Sequence, residues 1–315
     1  LMKALLLDDT HPFLEEALVQ GGLKLIKDYT RPLLDFPVSY FECTVLVIRS
    51  RMPINAKFLS QFPHLKVIGR MGAGLENIDL SQAKLQGITC IRVPEGNSRA
   101  VAEHALAMLL SALNHLPRAG VEVRKGIWLR EENKGREIHA LKVGIIGYGV
   151  MGAEFSRLLY AMGVQVYTYD KYRFDYTEGT MIECSLETLQ AEVDVVSIHL
   201  PYNNETHYFA DEVFFNGFAK PVHFINTARG QITNTTALLA ALESGLVLSA
   251  GLDVLEYENS SFTSLFDAEL PVALSALLLL DNVIITPHIA GWTQESFEKM
   301  GRDLGAKILA ALKTV

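Results

Sequence analysis

Cysteine is scarce in this sequence, and the pattern of the few cysteines present excludes two kinds of site. Only Cys43, Cys90 and Cys184 occur among 315 residues. Because they are widely separated and odd in number, they predict neither a disulfide framework nor a zinc site. We therefore expect no bound metal and a reducing location, the cytoplasm.

Excess basic charge is missing as well. The chain has 28 lysine and arginine residues against 36 aspartate and glutamate residues, which gives a formal net charge of -8 at pH 7. Nucleic-acid binding needs a basic stripe that neutralises phosphates, so this composition argues against it. The expected partners are small molecules or other subunits.

Long apolar runs are also lacking. The longest, VALSALLLL at 272–280, falls well short of the ~20 residues that a membrane span needs. The first residues, LMKALLLDD, lack the apolar region and cleavage site of a signal peptide. We expect no membrane association, and we expect the run at 272–280 to pack in the core or against a subunit.

Hydrophobic residues are plentiful, at 49% of the chain, and the length predicts about two domains. In the first part, short β-rich runs alternate with helical patterns, which is typical of a parallel sheet with crossover helices. These runs are KALLLD, TVLVIRS, LKVIGR and ITCIRV. From Ser98, the segment SRAVAEHALAMLLSALNHL is apolar at helical spacing and predicts a long connecting helix with a serine cap.

A second series of strands and helices begins at Lys142. Six strand candidates occur, the count of a complete doubly wound nucleotide-binding domain. They are KVGIIG, VQVYTYD, VDVVSIHL, VHFINTA, VLSAGLDVL and NVIITPH. After Pro287 only one helix is predicted, roughly from Gln294 to Leu312.

The first strand of this series leads into a glycine-rich turn. Gly147, Gly149 and Gly152 have the G-x-G-x-x-G spacing, which permits a tight turn, close approach of a pyrophosphate and close helix packing. Asp170 closes the next strand, where a carboxylate binds the adenosine ribose and repels a 2′-phosphate. NAD is therefore expected rather than NADP, although Lys171 and the arginine two residues further lie near enough to weaken that exclusion.

Eight segments, in order along nearly the whole chain, resemble the D-isomer-specific 2-hydroxyacid dehydrogenases. The resemblance is strongest to the 3-phosphoglycerate dehydrogenase branch, in a short form without a regulatory domain. The segments are IRSR (48–51), GRMGAGLENID (69–79), EGNSRAVAEHAL (95–106), GIIGYGVMG (144–152), SIHLP (197–201), INTARG (225–230), GLDVLEYE (251–258) and TPHIAG (286–291). Two departures affect loop conformation more than chemistry: Asn259 replaces a usual proline, and the apolar insert at 272–280 is longer than usual.

The resemblance implies an α/β fold with two doubly wound parallel-sheet domains. A Rossmann NAD-binding domain, residues 97–285, is expected to be inserted in a flavodoxin-like substrate domain, residues 1–96 and 286–315. A homodimer formed through the long helix region is also implied.

By the same resemblance, three residues late in the chain supply what hydride transfer needs. Arg229, at a strand end, is expected to hold the substrate carboxylate. His288 is expected to exchange the hydroxyl proton, because imidazole titrates in the right range. Glu258 is expected to pair with that imidazole and to fix its tautomer.

The resemblance also assigns binding residues. Expected NAD contacts are Gly147, Gly149, Val150, Met151, Gly152, Asp170, His199, Pro201, Thr206, Thr227, Ala228, Arg229, Asp253, His288, Ala290 and Gly291. Among these, His199 is interpreted as structural and Asp253 is placed near the nicotinamide ribose. Expected substrate contacts are Arg49, Ser50, Arg51, Arg70, Gly72, Ala73, Gly74 and Asn97. The three arginines follow two strands and suit a distal phosphate.

The leading hypothesis is therefore NAD-dependent oxidation of 3-phospho-D-glycerate to 3-phosphohydroxypyruvate, in serine biosynthesis. A glyoxylate/hydroxypyruvate reductase, or another D-2-hydroxyacid dehydrogenase, is the alternative within the same class. An NADH-responsive, corepressor-like binding protein is the alternative from a different class.

Overall fold

A computed structural model describes residues 2–258 and 269–314. Within these ranges the chain divides into two compact units, one with residues 2–97 and 292–314 and the other with residues 98–258 and 269–291. The departure from the family pattern at Asn259 lies outside the described residues. Residues 286–291 belong to the second unit, six residues beyond the expected boundary at 285, because Asp253 of that unit binds their backbone.

The described residues form strands and helices that alternate along the chain. The strands are β1 Lys3–Leu6, β2 Lys24–Lys27, β3 Val45–Ile48, β4 Val67–Arg70, β5 Thr89–Ile91, β6 Lys142–Ile146, β7 Gln165–Tyr169, β8 Ile182–Glu183, β9 Val195–Ile198, β10 Val222–Asn226, β11 Val247–Leu252 and β12 Val283–Ile285. The helices are α1 Pro12–Gln20, α2 Ala56–Leu59, α3 Leu80–Leu85, α4 Pro94–Leu113, α5 Leu116–Arg124, α6 Val150–Ala161, α7 Leu186–Glu192, α8 Glu212–Asn216, α9 Thr235–Glu243, α10 Val272–Leu277 and α11 Gln294–Leu312. Short 3-10 turns lie at Leu33–Asp35, Val38–Tyr40, Ile138–Ala140 and Gly230–Ile232.

The first unit contains a parallel sheet with the order β2-β1-β3-β4-β5, which is the flavodoxin-like order. Four of its strands were predicted. The edge strand β2 was not, because its sequence KLIK is short, charged at both ends and only partly buried. All residues of β3 and β4 are buried, as expected for central strands covered on both faces.

Helix α11 packs beside α1 on one face of this sheet. Gly305 permits the close approach, since a Cβ there would lie 2.8 Å from the Cβ of Ala17. Leu304 and Ile308 of α11 join the same buried cluster as Leu14 of α1. The bounds of α11 confirm the helix predicted from Gln294 to Leu312.

The second unit contains a seven-stranded parallel sheet with the order β12-β11-β10-β9-β6-β7-β8. Counted from β6, this is the Rossmann order with one further strand, β12, beyond the sixth. The six predicted strands are all present. The additional strand, β8, has two residues and is too short to produce a periodic pattern. Both sheets together confirm the predicted α/β class.

The long helix α4 begins at Pro94, so the predicted start with a Ser98 cap is wrong. Proline is favoured in the first turn of a helix because the missing N–H has no partner there in any case. The helix therefore includes the polar segment EGNS before the apolar run begins.

The apolar run at 272–280 contributes to the core of the second unit. Helix α10 buries Leu274 and Leu277 in the same cluster as Leu252. Val272 and Leu279 are 86% and 83% exposed, so the described residues leave these two side chains of the segment largely uncovered. In the part of the chain that the structure describes, no helix combines the length and the apolar character needed to cross a bilayer.

Candidate active site

The glycine-rich turn joins β6 to α6 at the carboxyl edge of the second sheet. Gly147 has a φ of 91°, and a Cβ there would lie 2.8 Å from the carbonyl oxygen of His199. A Cβ on Gly152 would lie 2.0 Å from the carbonyl oxygen of Gly147, whereas a Cβ on Gly149 would meet nothing within 4 Å. The turn is therefore tight on its inner side and open at Gly149. This arrangement, ahead of the N-terminus of α6, fits the pyrophosphate of a dinucleotide.

Asp170 follows β7 beside this turn, and its carboxylate has a defined orientation. Its Oδ2 accepts a hydrogen bond from the backbone N–H of Tyr148 at 2.8 Å. Its Oδ1 accepts from the N–H groups of Tyr172 and Arg173 at 2.9 and 3.1 Å. The carboxylate is thus held next to the glycine-rich turn, where an acidic side chain suits the ribose hydroxyls.

The two basic residues after Asp170 are bound to other groups. Lys171 forms an ion pair with Glu205 at 3.2 Å. A guanidinium N–H of Arg173 donates to the carbonyl oxygen of Tyr148. The ion pair offsets the charge of Lys171, whereas Arg173 keeps its charge beside a neutral carbonyl, so the preference for NAD depends on the carboxylate of Asp170.

His288 and Glu258 form a direct pair. His288 Nδ1 lies 2.6 Å from Glu258 Oε2, and the two side chains are 22% and 14% exposed. The other carboxylate oxygen, Oε1, accepts a hydrogen bond from the N–H of Leu255. A carboxylate accepts only, so the pair places a proton on Nδ1 and assigns proton exchange with a ligand to Nε2.

The backbone of His288 has an unusual conformation, with a φ of 56°. Residues other than glycine adopt this left-handed conformation uncommonly, although Asn, Asp and His do so more often than the rest, and where it occurs it is often at a functional site. The N–H of His288 donates to the carbonyl oxygen of Asp253 at 2.8 Å. The loop after β12 is therefore tied to the residue that follows β11.

Asp253 organises this loop further through its side chain, which is 1% exposed. Oδ1 accepts from the hydroxyl of Thr286 at 2.6 Å and from the N–H of Ile289 at 2.8 Å, and Oδ2 accepts from the N–H of Ala290 at 2.8 Å. The sequence predicted Asp253 as a residue near the nicotinamide ribose. These contacts favour a structural role, because both carboxylate oxygens bind the loop that carries His288.

Arg229 follows β10, the strand next to β11. The side chain of Asn226 shapes the turn, because its amide donates to the carbonyl oxygen of Arg229 at 3.0 Å and its Oδ1 accepts from the N–H of Ala228 at 2.9 Å. Gly230 lies so close to Leu255 that a Cβ would be 1.9 Å from that residue's carbonyl oxygen. Arg229, Glu258 and His288 thus lie in loops that follow three neighbouring strands at one sheet edge.

Several other predicted cofactor contacts lie around the same edge. His199 is buried with Nε2 2.9 Å from the hydroxyl of Ser197, and burial lowers its pKa to about 4, which favours a neutral, structural histidine. Thr206 donates its hydroxyl to the carbonyl oxygen of Pro201 at 2.6 Å. The hydroxyl of Thr227 is buried and has no hydrogen-bond partner within the described ranges, which makes it the better candidate for contact with a bound cofactor. Among the remaining predicted contacts, the structure places Val150 and Met151 in the first turn of α6, Ala228 in the turn before Arg229, and Gly291 after Ala290.

In the first unit the predicted substrate arginines have different environments. Arg51 donates from Nε, Nη1 and Nη2 to the carbonyl oxygens of Leu7, Arg31 and Asp28 at 2.7, 3.0 and 3.2 Å. Arg70 donates to the carbonyl oxygens of Arg49 and Gly74 at 2.9 and 2.7 Å. These contacts favour structural roles over phosphate binding.

Arg49 differs from the other two arginines. Its guanidinium lies 3.8 Å from the ring centroid of Trp292 and 5.7 Å from that of Phe297. Among the other predicted substrate contacts, the buried Oδ1 of Asn97 has no hydrogen-bond partner in the described chain. Ser50 follows Arg49 directly, and Gly72, Ala73 and Gly74 form the loop after β4.

One residue at the second unit's edge was not predicted from sequence. His104 of α4 places Nε2 3.0 Å from the hydroxyl oxygen of Thr286, a contact between residues 182 positions apart. His104 lies in the segment EGNSRAVAEHAL, but no local pattern links that segment to TPHIAG. Only the packing of α4 against the sheet brings them together.

Comparison with protein families identifies the second unit. The family model described as D-isomer specific 2-hydroxyacid dehydrogenase, NAD binding domain, matches residues 106–290. A hydroxypyruvate reductase of Thermotoga maritima is 34% identical over 271 residues, covering 86% of this chain and 85% of that protein.

Two phosphoglycerate dehydrogenases are also similar. A D-3-phosphoglycerate dehydrogenase of Archaeoglobus fulgidus is 34% identical over 272 residues, covering 85% of this chain and 49% of that protein. D-3-phosphoglycerate dehydrogenase 3, chloroplastic, of Arabidopsis thaliana is 31% identical over 308 residues, covering 95% of this chain and 50% of that protein. The chain therefore spans about half the length of these two relatives.

Solved structures agree over the whole chain. D-lactate dehydrogenase from Aquifex aeolicus, complexed with NAD and lactic acid, has a TM-score of 0.84 at 30% identity and covers 99% of this chain and 96% of that one. The NAD complex of a D-isomer specific 2-hydroxyacid dehydrogenase from Lactobacillus delbrueckii ssp. bulgaricus has a TM-score of 0.85 at 26% identity, with 100% and 98% coverage.

Proposed function

The chain belongs to the family of D-isomer specific 2-hydroxyacid dehydrogenases, which are NAD-dependent oxidoreductases, and on that premise we propose that it interconverts a small D-2-hydroxy acid and its 2-keto acid through Arg229, Glu258 and His288. One observation carries the proposal. The imidazole of His288 and the carboxylate of Glu258 are 2.6 Å apart in loops at the same sheet edge as Arg229 and the glycine-rich turn.

We assign a role to each of these three residues. Arg229 binds the substrate carboxylate with charge-assisted hydrogen bonds and polarises the oxygen at C2. In the oxidative direction His288 Nε2 accepts the hydroxyl proton, and in the reductive direction it returns that proton. Glu258 holds the imidazole in the required tautomer and stabilises its protonated form. The glycine-rich turn and Asp170 would hold NAD, which would supply hydride acceptance from C2 in oxidation and, as NADH, hydride donation in reduction.

We propose hydroxypyruvate and D-glycerate as the preferred substrate pair. Arg51 and Arg70, two of the three arginines expected to bind a phosphate, donate to backbone carbonyls instead. A phosphorylated acid would have to rely on Arg49, whose guanidinium is stacked on Trp292. This leaves 3-phospho-D-glycerate as the second candidate, supported by Arg49 and by the relatives named D-3-phosphoglycerate dehydrogenase.

A substrate panel separates these candidates. Reduction of hydroxypyruvate, glyoxylate, pyruvate and 3-phosphohydroxypyruvate by NADH is measured with wild type and with Arg49→Met. We expect hydroxypyruvate to have the highest kcat/KM and to lose little in the variant. A preference for 3-phosphohydroxypyruvate that Arg49→Met abolishes would establish the second candidate. Absence of turnover with every acid would contradict the proposed function.

We further propose that the protein is a homodimer in the cytoplasm, formed through α5 and the segment after it rather than through the long helix α4 that the resemblance implies. Helix α5 has no buried residue in the chain as described. Together with the next residues it exposes a group of apolar side chains: Leu116, Val121, Val123, Ile127, Trp128 and Leu129. Trp128 is 75% exposed, which is unusual for a side chain that buries so much area in contacts. Trp128→Glu is expected to convert a dimer to a monomer in sedimentation analysis, whereas Tyr172→Glu, on the cofactor side, should not.

A further inference from the structure

His104 reaches from α4 to the loop that carries His288. Its Nε2 lies 3.0 Å from the hydroxyl oxygen of Thr286 and 3.6 Å from Asp253 Oδ1. The His104 side chain is 21% exposed and that of Asp253 is 1% exposed. The contact is therefore largely shielded from water, where a hydrogen bond restrains geometry more strongly than it does on a surface.

The chemistry of the three groups determines the direction of the hydrogen bonds. Thr286 has one hydroxyl proton, and its oxygen lies 2.6 Å from Asp253 Oδ1. Since a carboxylate only accepts, Thr286 donates to Asp253 and must accept from its other neighbour. His104 Nε2 therefore carries a proton and donates it to Thr286.

This relay ends on the backbone beside His288. The carboxylate of Asp253 accepts from the N–H groups of Ile289 and Ala290, both at 2.8 Å. These residues directly follow His288, whose φ of 56° lies in a region that L residues rarely adopt. A loop in this conformation relaxes unless surrounding contacts hold it.

We propose that His104 is a positioning residue, which holds Thr286 and Asp253 in the orientation that keeps His288 in its left-handed conformation. His104 itself does not touch substrate in this role. The inference rests on the proposed function of His288. It differs from a packing role, in which the imidazole only fills space and a leucine of similar size would replace it.

Two substitutions of His104 test the donor. In His104→Gln the side-chain amide nitrogen can occupy the position of Nε2 and donate to Thr286, whereas His104→Leu fills the space without a donor. We expect His104→Leu to lower kcat about tenfold, the effect of losing one buried hydrogen bond. We expect His104→Gln to stay within about threefold of wild type, with KM for NADH unchanged in both. His139→Leu, which alters a histidine that is 63% exposed, is the control and should change neither constant.

A double-mutant cycle tests the relay through Thr286. Thr286→Val removes the hydroxyl that links His104 to Asp253, so His104→Leu should then lower kcat by less than about twofold. The proposal would be overturned if His104→Leu lowered kcat by the same factor with and without Thr286→Val. It would also be overturned if His104→Gln lowered kcat as much as His104→Leu.

Amide hydrogen exchange gives a readout that does not depend on turnover. His104→Leu should speed exchange at Ile289 and Ala290, and His104→Gln should not. Unchanged exchange in His104→Leu would refute the positioning role even if activity fell. If exchange is faster in His104→Leu but the wild type turns over no acid of the substrate panel, the relay would be upheld and the proposed function contradicted.

Discussion

The two parallel sheets place charged residues at the same kind of position, directly after the carboxyl ends of strands, but use them differently. In the second unit, Glu258 and His288 bind each other. In the first unit, Arg51 and Arg70 bind backbone carbonyl oxygens. The arginine after β10 in the second unit, Arg229, also donates to a backbone carbonyl, that of the preceding residue, at 2.6 Å, and only for this arginine do we propose contact with the substrate.

The difference arises from what surrounds each residue. In the second unit, Asn226 and Asp253 satisfy the backbone of the loops, so other side chains can serve chemistry. In the first unit the guanidinium groups of Arg51 and Arg70 bind five backbone carbonyl oxygens between them, whereas Arg229 in the second unit binds that of the preceding residue. Five fixed N–H donors suit arginine to this task, because several carbonyls can share one cation. Four predictions test the comparison, beginning with the largest expected effect.

The largest effect is expected on kcat, from a substitution at the carboxyl edge of the second unit's sheet. His288→Gln is expected to lower kcat by about 10²–10⁴-fold, because proton transfer to a positioned base is lost. Binding of NADH, measured by fluorescence, should change little, since the glycine-rich turn is untouched. Turnover within threefold of wild type would show that His288 is not the base.

A substitution at the carboxyl edge of the first unit's sheet is expected to reduce the free energy of unfolding rather than kcat. Arg51→Met is expected to reduce the free energy of unfolding by about 2–4 kcal/mol, because three carbonyl groups lose a charged donor. Lys57→Met, which changes an exposed lysine, is the control in the same denaturant titration and should change it little. If Arg51→Met were as stable as wild type and lost activity only with phosphorylated substrates, Arg51 would be a ligand-binding residue and the proposed difference between the two sheet edges would be wrong.

Arg229 should behave unlike Arg51. Arg229→Lys keeps the charge but loses the two-pronged geometry, so kcat/KM is expected to fall tenfold or more, corresponding to about 1.5–3 kcal/mol. The free energy of unfolding should stay within about 0.5 kcal/mol of wild type. A larger loss of stability than of kcat/KM would place Arg229 with the structural arginines.

The smallest expected effect is a loss of stability of the second unit as the pH is lowered. Burial lowers the pKa of His199 and of His223 in the second unit to about 4. As pH falls from 7 to 5 the unfolded chain binds protons at these histidines and the folded chain does not, so stability should fall by about 1–2 kcal/mol for each. The loss should end near pH 4, below which both states are protonated. His223→Gln, compared with wild type by urea unfolding at both pH values, should have a shallower slope, and an identical slope would contradict this assignment.

Much of the second unit was predictable because its signals are local. The strands are short apolar runs, and the glycine spacing stands between a strand and a helix.

The start of α4 was predicted wrongly because Pro94 and the polar segment EGNS carry no apolar period. Strand β2 was missed because an edge strand needs little apolar sequence.

The candidate site was predictable to a lesser extent. Arg229, Glu258 and His288 were named from motifs, and the pairing of Glu258 with His288 is present at 2.6 Å. The contacts of Asp253 and His104 were not foreseen, because they join α4, the residue after β11 and the loop after β12, which are distant in sequence. The roles of Arg51 and Arg70 depend on carbonyl groups, which every residue has and no motif marks.

By itself, the sequence determined the α/β class, most of the strands, the glycine-rich turn and the residues available for chemistry. Periodicity and glycine spacing act over a few residues, so they can be recognised without a fold. Only the tertiary structure decided which charged side chains bind each other, which brace the backbone, and why His288 is held in a left-handed conformation. Those outcomes depend on hydrogen-bond partners that folding alone brings within about 3 Å.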